Sequence, residues 1–229
     1  MADVEYVKGY KDKELRQYVL AYLLVTIASI GFQTKIIGST AGSFASLFQM
    51  IVTDFFVGAI CILVLIFNEL WPDRIKTKLI YKTMPSDTIF SDISSGKIDA
   101  TGFDINSARS MYAALASESA AKQTSEWNIL LRKARDEGRG NVIEAQRMQL
   151  LTRDICMSTV SLLILNVIAV VVLTIVYNDV CLSIKMFSLP LIYLVAMFFI
   201  TQAAARNRGQ RFAILVIKND VQNSIIQST

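Results

Sequence analysis

The residues of this chain that could carry chemistry are polar side chains inside long apolar stretches. Asp54 stands between Val52–Thr53 and Phe55–Phe56, and Asn166 stands midway through another apolar run. A carboxylate at the centre of a bilayer costs about 3 kcal/mol, so Asp54 is expected to face a bundle interior, to pair, or to be protonated. It therefore predicts an ion, proton or gating site. The alternative is that Asp54 lies near the outer water boundary.

Two roles are open to Asn166, gating or helix pairing. An interhelical amide hydrogen bond in a membrane contributes about 0.6–2 kcal/mol. Helix pairing is the favoured role.

Residue types that carry catalysis are scarce. The chain has no histidine, which removes the usual general base and a common metal ligand. The stretch Ser94–Lys97 lacks both the leading glycine and the following Ser or Thr of a phosphate-binding loop. No G-x-S-x-G elbow occurs. We therefore expect a protein that is not an enzyme and that has no cofactor and no metal.

Four apolar segments must position these residues: Leu15–Thr34, Phe44–Leu70, Met157–Tyr177 and Met186–Ala204. A helix of about 20 apolar residues crosses a hydrocarbon core of about 30 Å, and backbone amides in lipid must bond to one another. The first segment lacks a small-residue cleavage site and is expected to be retained. The pattern predicts an all-α membrane protein with four transmembrane helices, arranged as two hairpins around a small cytoplasmic helical domain.

The distribution of Lys and Arg predicts the orientation. The two outer turns carry only Lys35 and Lys185, whereas the other flanks are basic. By the positive-inside rule, both termini and the central region are cytoplasmic. Six residues on these flanks are expected to contact lipid headgroups: Arg74, Lys76, Lys78, Arg206, Arg208 and Arg211.

The predicted domains are residues 1–71 (N-terminal segment and first hairpin), 72–155 (cytoplasmic helical domain), 156–205 (second hairpin) and 206–229 (C-terminal helix and tail). Within the central domain, Met84–Asp104 is rich in Ser and Asp and predicts a loop with one short strand. Asp104 or Asn106 then caps a helix. An unbroken helix is expected over Asn141–Tyr177, and Gln202–Lys218 extends the fourth span. Pro190 is expected in the first turn of that span.

Basic residues between positions 132 and 153 offer a further alternative, an anionic ligand such as a nucleotide. They alternate with Asp136, Glu137, Glu144 and Asp154, a pattern typical of a solvated, salt-bridged face. The salt-bridged face is the favoured interpretation, and no direct contact with nucleic acid is expected.

Four short motifs carry a resemblance to a known group: Met84–Ile89, Trp127–Arg132, Leu151–Asp154 and Ala203–Phe212. With this layout, the chain resembles small bacterial four-span proteins that carry a cytoplasmic helical insert, among them membrane subunits of anti-phage systems such as Kiwa. The resemblance implies an oligomeric membrane subunit beside a cytoplasmic partner, and it brings no catalytic or ligand-binding residue.

Together these features predict a homo-oligomeric sensor and scaffold in the lipid bilayer that recruits a soluble cytoplasmic protein. The resemblance implies a bacterial inner membrane and a role in anti-phage defence. Most of the predicted non-membrane mass is cytoplasmic, and the outer turns are too short to bind much. The alternative is an ion-conducting pore or depolarising effector that is gated through its cytoplasmic domain.

Overall fold

Every regular element is a helix in the part of the chain that the computed structural model describes, residues 13–24, 26, 62–64, 66–98, 104–177 and 180–228. The all-α prediction is confirmed for these residues. The elements are α1 (residues 13–24), α2 (residues 66–70), α3 (Asp73–Tyr81), α4 (Pro85–Ser94), α5 (Ile105–Ala116), α6 (Ala120–Asp136), α7 (Gly140–Tyr177) and α8 (Val180–Ser228).

The chain divides into two compact units. Unit 1 comprises Met1–Pro72 and Arg153–Gln202, and unit 2 comprises Asp73–Thr152 and Ala203–Thr229. The residue ranges of α7 and α8 therefore belong partly to each unit. The bounds of the four domains predicted from the sequence stay a prediction.

Two helices are long and apolar enough to cross a membrane, with candidate spans within Gly140–Val172 and Ser188–Ile225. They contain most of the third and fourth predicted spans. The first predicted span, Leu15–Thr34, is described only up to residue 26, and the second, Phe44–Leu70, lies mostly outside the described residues, as does Asp54.

The prediction of a loop and short strand after Met84 is wrong, because Pro85–Ser94 is the helix α4. Pro85 starts the helix, where its missing N–H costs nothing. Ile89, Phe90 and Ile93 are all buried, and their spacing places them on one helical face. This burial outweighs the turn preference of the Ser and Asp residues between them.

Pro190 lies inside α8, which begins at Val180. The candidate membrane span begins at Ser188, so Pro190 lies in the first turn of that span, where the sequence placed it. The unbroken helix predicted to end at Tyr177 and the continuation past Gln202 are both confirmed by the bounds of α7 and α8.

Local signals set the start of α5 and the end of α6 in unit 2. Asp104 caps α5, because its Oδ1 accepts hydrogen bonds from the Asn106 and Ser107 amides at 3.1 and 3.2 Å. The Ser107 hydroxyl, followed by the amides, lowers the pKa of the Asp104 carboxyl. Gly138, with φ +66°, ends α6 through Arg139 N–H bonding to Ala134 O at 3.1 Å.

Five helices supply the core of unit 2. Phe90 of α4 packs on Tyr112 of α5, with ring centroids 5.0 Å apart. Trp127 of α6 meets Phe212 of α8 edge-on at 5.4 Å, and its indole N–H donates to Ala213 O at 3.4 Å. Val142 of α7 completes the cluster. Unit 2 therefore needs α8 residues to close its core.

Candidate functional site

A buried polar stripe runs along the part of α7 that belongs to unit 1. Asp154, Ser158, Thr159, Ser161 and Asn166 are each less than 5% exposed. At 100° per residue, the first, second and fourth of these share one helical row, and Thr159 and Asn166 form a second row about 120° around the helix. The polar stripe thus consists of two buried rows, which face different neighbours inside unit 1.

The row of Thr159 and Asn166 is joined to α1. The hydroxyls of Tyr18 and Thr159 are 2.6 Å apart, and the Asn166 Nδ2 donates to the Tyr22 hydroxyl at 2.9 Å. Tyr22 follows Tyr18 along α1, and Asn166 follows Thr159 along α7, so the two hydrogen bonds occur in the same order along both helices. This places α1 and α7 side by side and parallel, with a pair of tyrosines at helical spacing as the link.

The other row is joined to the segment around α2. The Trp71 indole N–H, just after α2, donates to the Ser161 hydroxyl at 3.1 Å. Asn68 lies on α2 and is 2% exposed. Val64, which precedes α2, is fully buried in the apolar cluster of unit 1 with Leu162. Residues on both sides of α2 thus contact α7 or its apolar cluster.

Three polar atoms of the site are buried without a hydrogen-bond partner among the described residues: Asn68 Oδ1, Ser158 Oγ and Asn166 Oδ1. Leaving such a group unsatisfied costs about 1–3 kcal/mol. Oxygen atoms of this kind bind water molecules or cations. Their presence together in the interior of unit 1 is the chemical feature that distinguishes this site from ordinary helix packing.

Asp154 begins the stripe and is the only carboxylate in it. It is fully buried, and its Oδ1 lies 3.5 Å from Arg153 Nε. The prediction placed Asp154 on a solvated face, which the burial contradicts. Burial of a charge requires a compensating partner, and the adjacent guanidinium provides one.

The outward faces of the same helices have the opposite character. On α7, Val167, Val171 and Ile175 are 52%, 52% and 75% exposed, and on α8, Ile192 and Phe199 are 68% and 61% exposed. A water-soluble helix buries its apolar stripe and exposes its polar one. Here the polar stripe is inside and large apolar side chains are outside.

Unit 2 contains a separate polar node at Asp220 of α8. Its Oδ2 accepts from the Tyr112 hydroxyl at 2.6 Å, and its Oδ1 lies 2.9 Å from Lys133 Nζ. Burial, followed by the bond to Asp220, raises the pKa of the Tyr112 hydroxyl. The Asp220 carboxylate likewise raises the pKa of Lys133. The node ties α5, α6 and α8 together.

The residues predicted to contact headgroups lie in different surroundings. Arg74, Lys78, Arg208 and Arg211 are exposed, whereas Lys76 is buried. Arg206 is also exposed, but its Nε donates to Ile80 O at 2.6 Å, at the end of α3. Lys76 and Arg206 therefore have local structural roles that the charge pattern did not reveal.

Sequence reasoning identified Asn166 but missed the remainder of the stripe. The available signal was the spacing of Asp154, Ser158 and Ser161 at the start of an apolar run. Ser161 and Thr159 also bond to carbonyl oxygens of their own helix four residues earlier, at 3.1 and 2.9 Å, which lets a hydroxyl reside in an apolar helix. Hydropathy alone passes over such residues.

No family model, curated protein or solved structure matches this chain.

Proposed function

We propose that this chain is a multi-pass protein of the bacterial inner membrane that acts as a non-enzymatic sensor and scaffold. Unit 1 resides in the bilayer as two helical hairpins, and unit 2 is cytoplasmic and recruits a soluble protein partner. The chain works as a homo-oligomer. The resemblance to membrane subunits such as that of Kiwa adds anti-phage defence to the proposal.

The observation that carries the proposal is that α7 and α8 supply side chains to both cores. Leu162 of α7 and Leu194 of α8 belong to the apolar cluster of unit 1. Val142 of α7 and Phe212 of α8 belong to that of unit 2. A disturbance of the bilayer that repacks these helices in unit 1 changes the same helices where they form the core of unit 2.

The lipid environment is supported by the apolar outward faces of α7 and α8. Residues such as Ile175 and Ile192 are more than two-thirds exposed in the chain, at 75% and 68%. Burial of such residues in acyl chains removes their contact with water. Water outside these helices would leave a large apolar surface uncovered, which monomeric soluble proteins avoid.

Orientation is tested first. Cys61, Cys156 and Cys181 are replaced by serine, and one cysteine is introduced at the exposed Lys122 of unit 2. We expect a membrane-impermeant maleimide to label it in permeabilised cells and not in intact cells. Labelling of intact cells would place unit 2 outside and end the recruitment proposal.

Recruitment is then tested by co-purification of the full chain from phage-challenged cells. Phe212→Ala opens the core of unit 2, whereas Phe199→Ala removes an exposed aromatic ring from unit 1 and serves as the matched control. We expect the soluble partner to be lost with Phe212→Ala and retained with Phe199→Ala. Equal recovery from both variants would contradict the scaffold function.

The polar stripe favours a second candidate, an ion-conducting pore. Asn68, Ser158 and Asn166 each place inside unit 1 an oxygen that has no hydrogen-bond partner among the described residues, and hydration of these atoms would open a polar path. Conductance in planar bilayers distinguishes the two functions. A pore loses conductance with Ser158→Leu but not with Thr174→Leu, whose hydroxyl bonds to Val170 O at 2.8 Å and lies away from the stripe. A scaffold shows no conductance at all.

A further inference from the structure

Unit 2 contains a small pocket between the α3–α4 turn, α4 and α8. Its volume is about 210 Å³. Sites for drug-sized ligands have volumes of about 300–1,000 Å³, so this pocket suits a smaller molecule. The polar and aromatic residues that line it are Tyr81, Thr83, Thr88, Asp92, Arg206 and Gln210.

Arg206 provides a fixed positive charge. Its Nε donates to Ile80 O at 2.6 Å, one of the last carbonyls of α3, which have no partner within their own helix. Among the described residues, no acceptor bonds to either Nη of Arg206. A guanidinium fixed in this way presents two parallel N–H donors, the geometry that binds phosphate.

Asp92 provides the opposite charge. Its Oδ2 accepts from the Thr88 hydroxyl at 2.8 Å, which fixes the carboxylate on α4. Lys97 Nζ lies 3.6 Å from Asp92 Oδ1, and the Lys97 side chain is 74% exposed. The Asp92 carboxylate is therefore oriented to pair with a cation in the pocket, because its partner Lys97 is largely exposed to solvent.

The wall of the pocket has unusual backbone geometry. Lys82 has φ +61°, and Thr83 N–H bonds to Tyr81 O across it at 2.6 Å. A positive φ is uncommon for a residue other than glycine, and such conformations cluster at ligand sites. Tyr81 packs directly on Gly209, where an added Cβ would lie 2.6 Å from its Cε1. The turn and this close contact together shape the cavity.

We propose that this pocket binds a small zwitterion carrying a phosphate and an ammonium group, the chemistry of phosphoethanolamine. The phosphate bonds to Arg206, and the ammonium group pairs with Asp92. Arg206 follows the end of unit 1 at Gln202 by one helical turn, and it lies two residues after the fourth span predicted from the sequence, Met186–Ala204. The ligand is either a phospholipid headgroup or the free compound, and it makes unit 2 responsive to a small molecule, which goes beyond the scaffold function.

The test uses the full chain, purified in detergent and freed of lipid. Calorimetric titration with phosphoethanolamine measures binding of the free compound, and native mass spectrometry from nanodiscs with phosphatidylethanolamine or phosphatidylcholine measures binding of the headgroup. We expect Arg206→Gln and Asp92→Asn each to weaken binding by about tenfold or more. Arg208→Gln, an exposed arginine on the same helix outside the pocket lining, is the matched control and is expected to change affinity by less than about twofold.

Binding in the titration identifies the free zwitterion, and retention of phosphatidylethanolamine alone identifies the headgroup; either result supports the proposal if both pocket variants reduce it. Absence of both, or binding that Asp92→Asn leaves unchanged, overturns it. Inorganic phosphate that binds as tightly as phosphoethanolamine also overturns it, because the carboxylate would then contribute nothing. Circular dichroism monitors folding, and Asp92→Asn decides the outcome if Arg206→Gln unfolds, since the amide keeps an acceptor for Thr88.

Discussion

Replacing Gly209 by alanine tests how closely α3 and α8 pack in unit 2. The new Cβ would lie 2.6 Å from Tyr81 Cε1, 3.1 Å from Cζ and 3.2 Å from the hydroxyl oxygen. Ordinary contacts begin near 3.4 Å, so the ring must move. Overpacking of this kind costs about 1–3 kcal/mol, while alanine recovers about 1 kcal/mol of helix propensity. We expect a net loss of up to about 2 kcal/mol.

The Tyr81 ring cannot retreat easily, because it is 7% exposed and belongs to the helix whose Ile80 carbonyl is bonded to Arg206. Thermal melting in detergent, followed by circular dichroism, measures the effect, and 1 kcal/mol corresponds to about 2–4 °C for a chain of this size. Gly140→Ala is the matched control, since nothing lies within 4 Å of its added Cβ. It should leave the melting temperature unchanged or raise it slightly.

A double-mutant cycle identifies the cause of the destabilisation. In a Tyr81→Ala background the clash is removed, so Gly209→Ala should become neutral or stabilising. A melting temperature for Gly209→Ala at or above that of the wild type would refute the steric argument. So would an equal loss with and without the Tyr81 ring.

Three further predictions concern hydrogen bonds and packing. Asn166→Leu should lower stability by about 0.6–2 kcal/mol, and the loss should largely disappear in a Tyr22→Phe background; equal losses in both backgrounds would rule out their coupling. Asp220→Asn should lower the melting temperature of the full chain at neutral pH. The folded-state pKa of Lys133 is raised above its ordinary value of 10.5. The ion pair of Lys133 with Asp220 is therefore present below pH 10.5 and is lost as the pH rises through the raised pKa. Melting temperatures measured across that pH range should show a decreasing difference between Asp220→Asn and the wild type. Phe212→Ala should cost about 3–5 kcal/mol, and near-UV circular dichroism of Trp127 should lose its signal; an intact signal would contradict the packing.

The long helices could be predicted from sequence because their signals are local. An unbroken apolar run specifies a helix over most of α7, and Asp104 satisfies the amides that follow it within its own turn. Such features need no knowledge of distant residues. Gly138 is another local signal, because its positive φ ends α6.

The polar stripe could not be predicted in the same way, because its meaning depends on distant partners. Thr159 is bonded to Tyr18, which is 141 positions earlier in the chain. Nothing local indicates which face of α7 receives that contact. Asp154 is a second example. The alternating charges around it predicted a solvent-exposed face, whereas the packing buries its side chain completely. The helix α4 was missed because buried Ile89 and Phe90 outweigh its turn-forming residues.

The use of α8 in both cores has a consequence for synthesis at the ribosome. Phe212, Val216 and Ile217, which complete the core of unit 2, are translated after the apolar run that includes Ile192 and Phe199. The helices α4, α5 and α6 are synthesised much earlier than these residues. Unit 2 therefore cannot complete its core until nearly the whole chain has been synthesised.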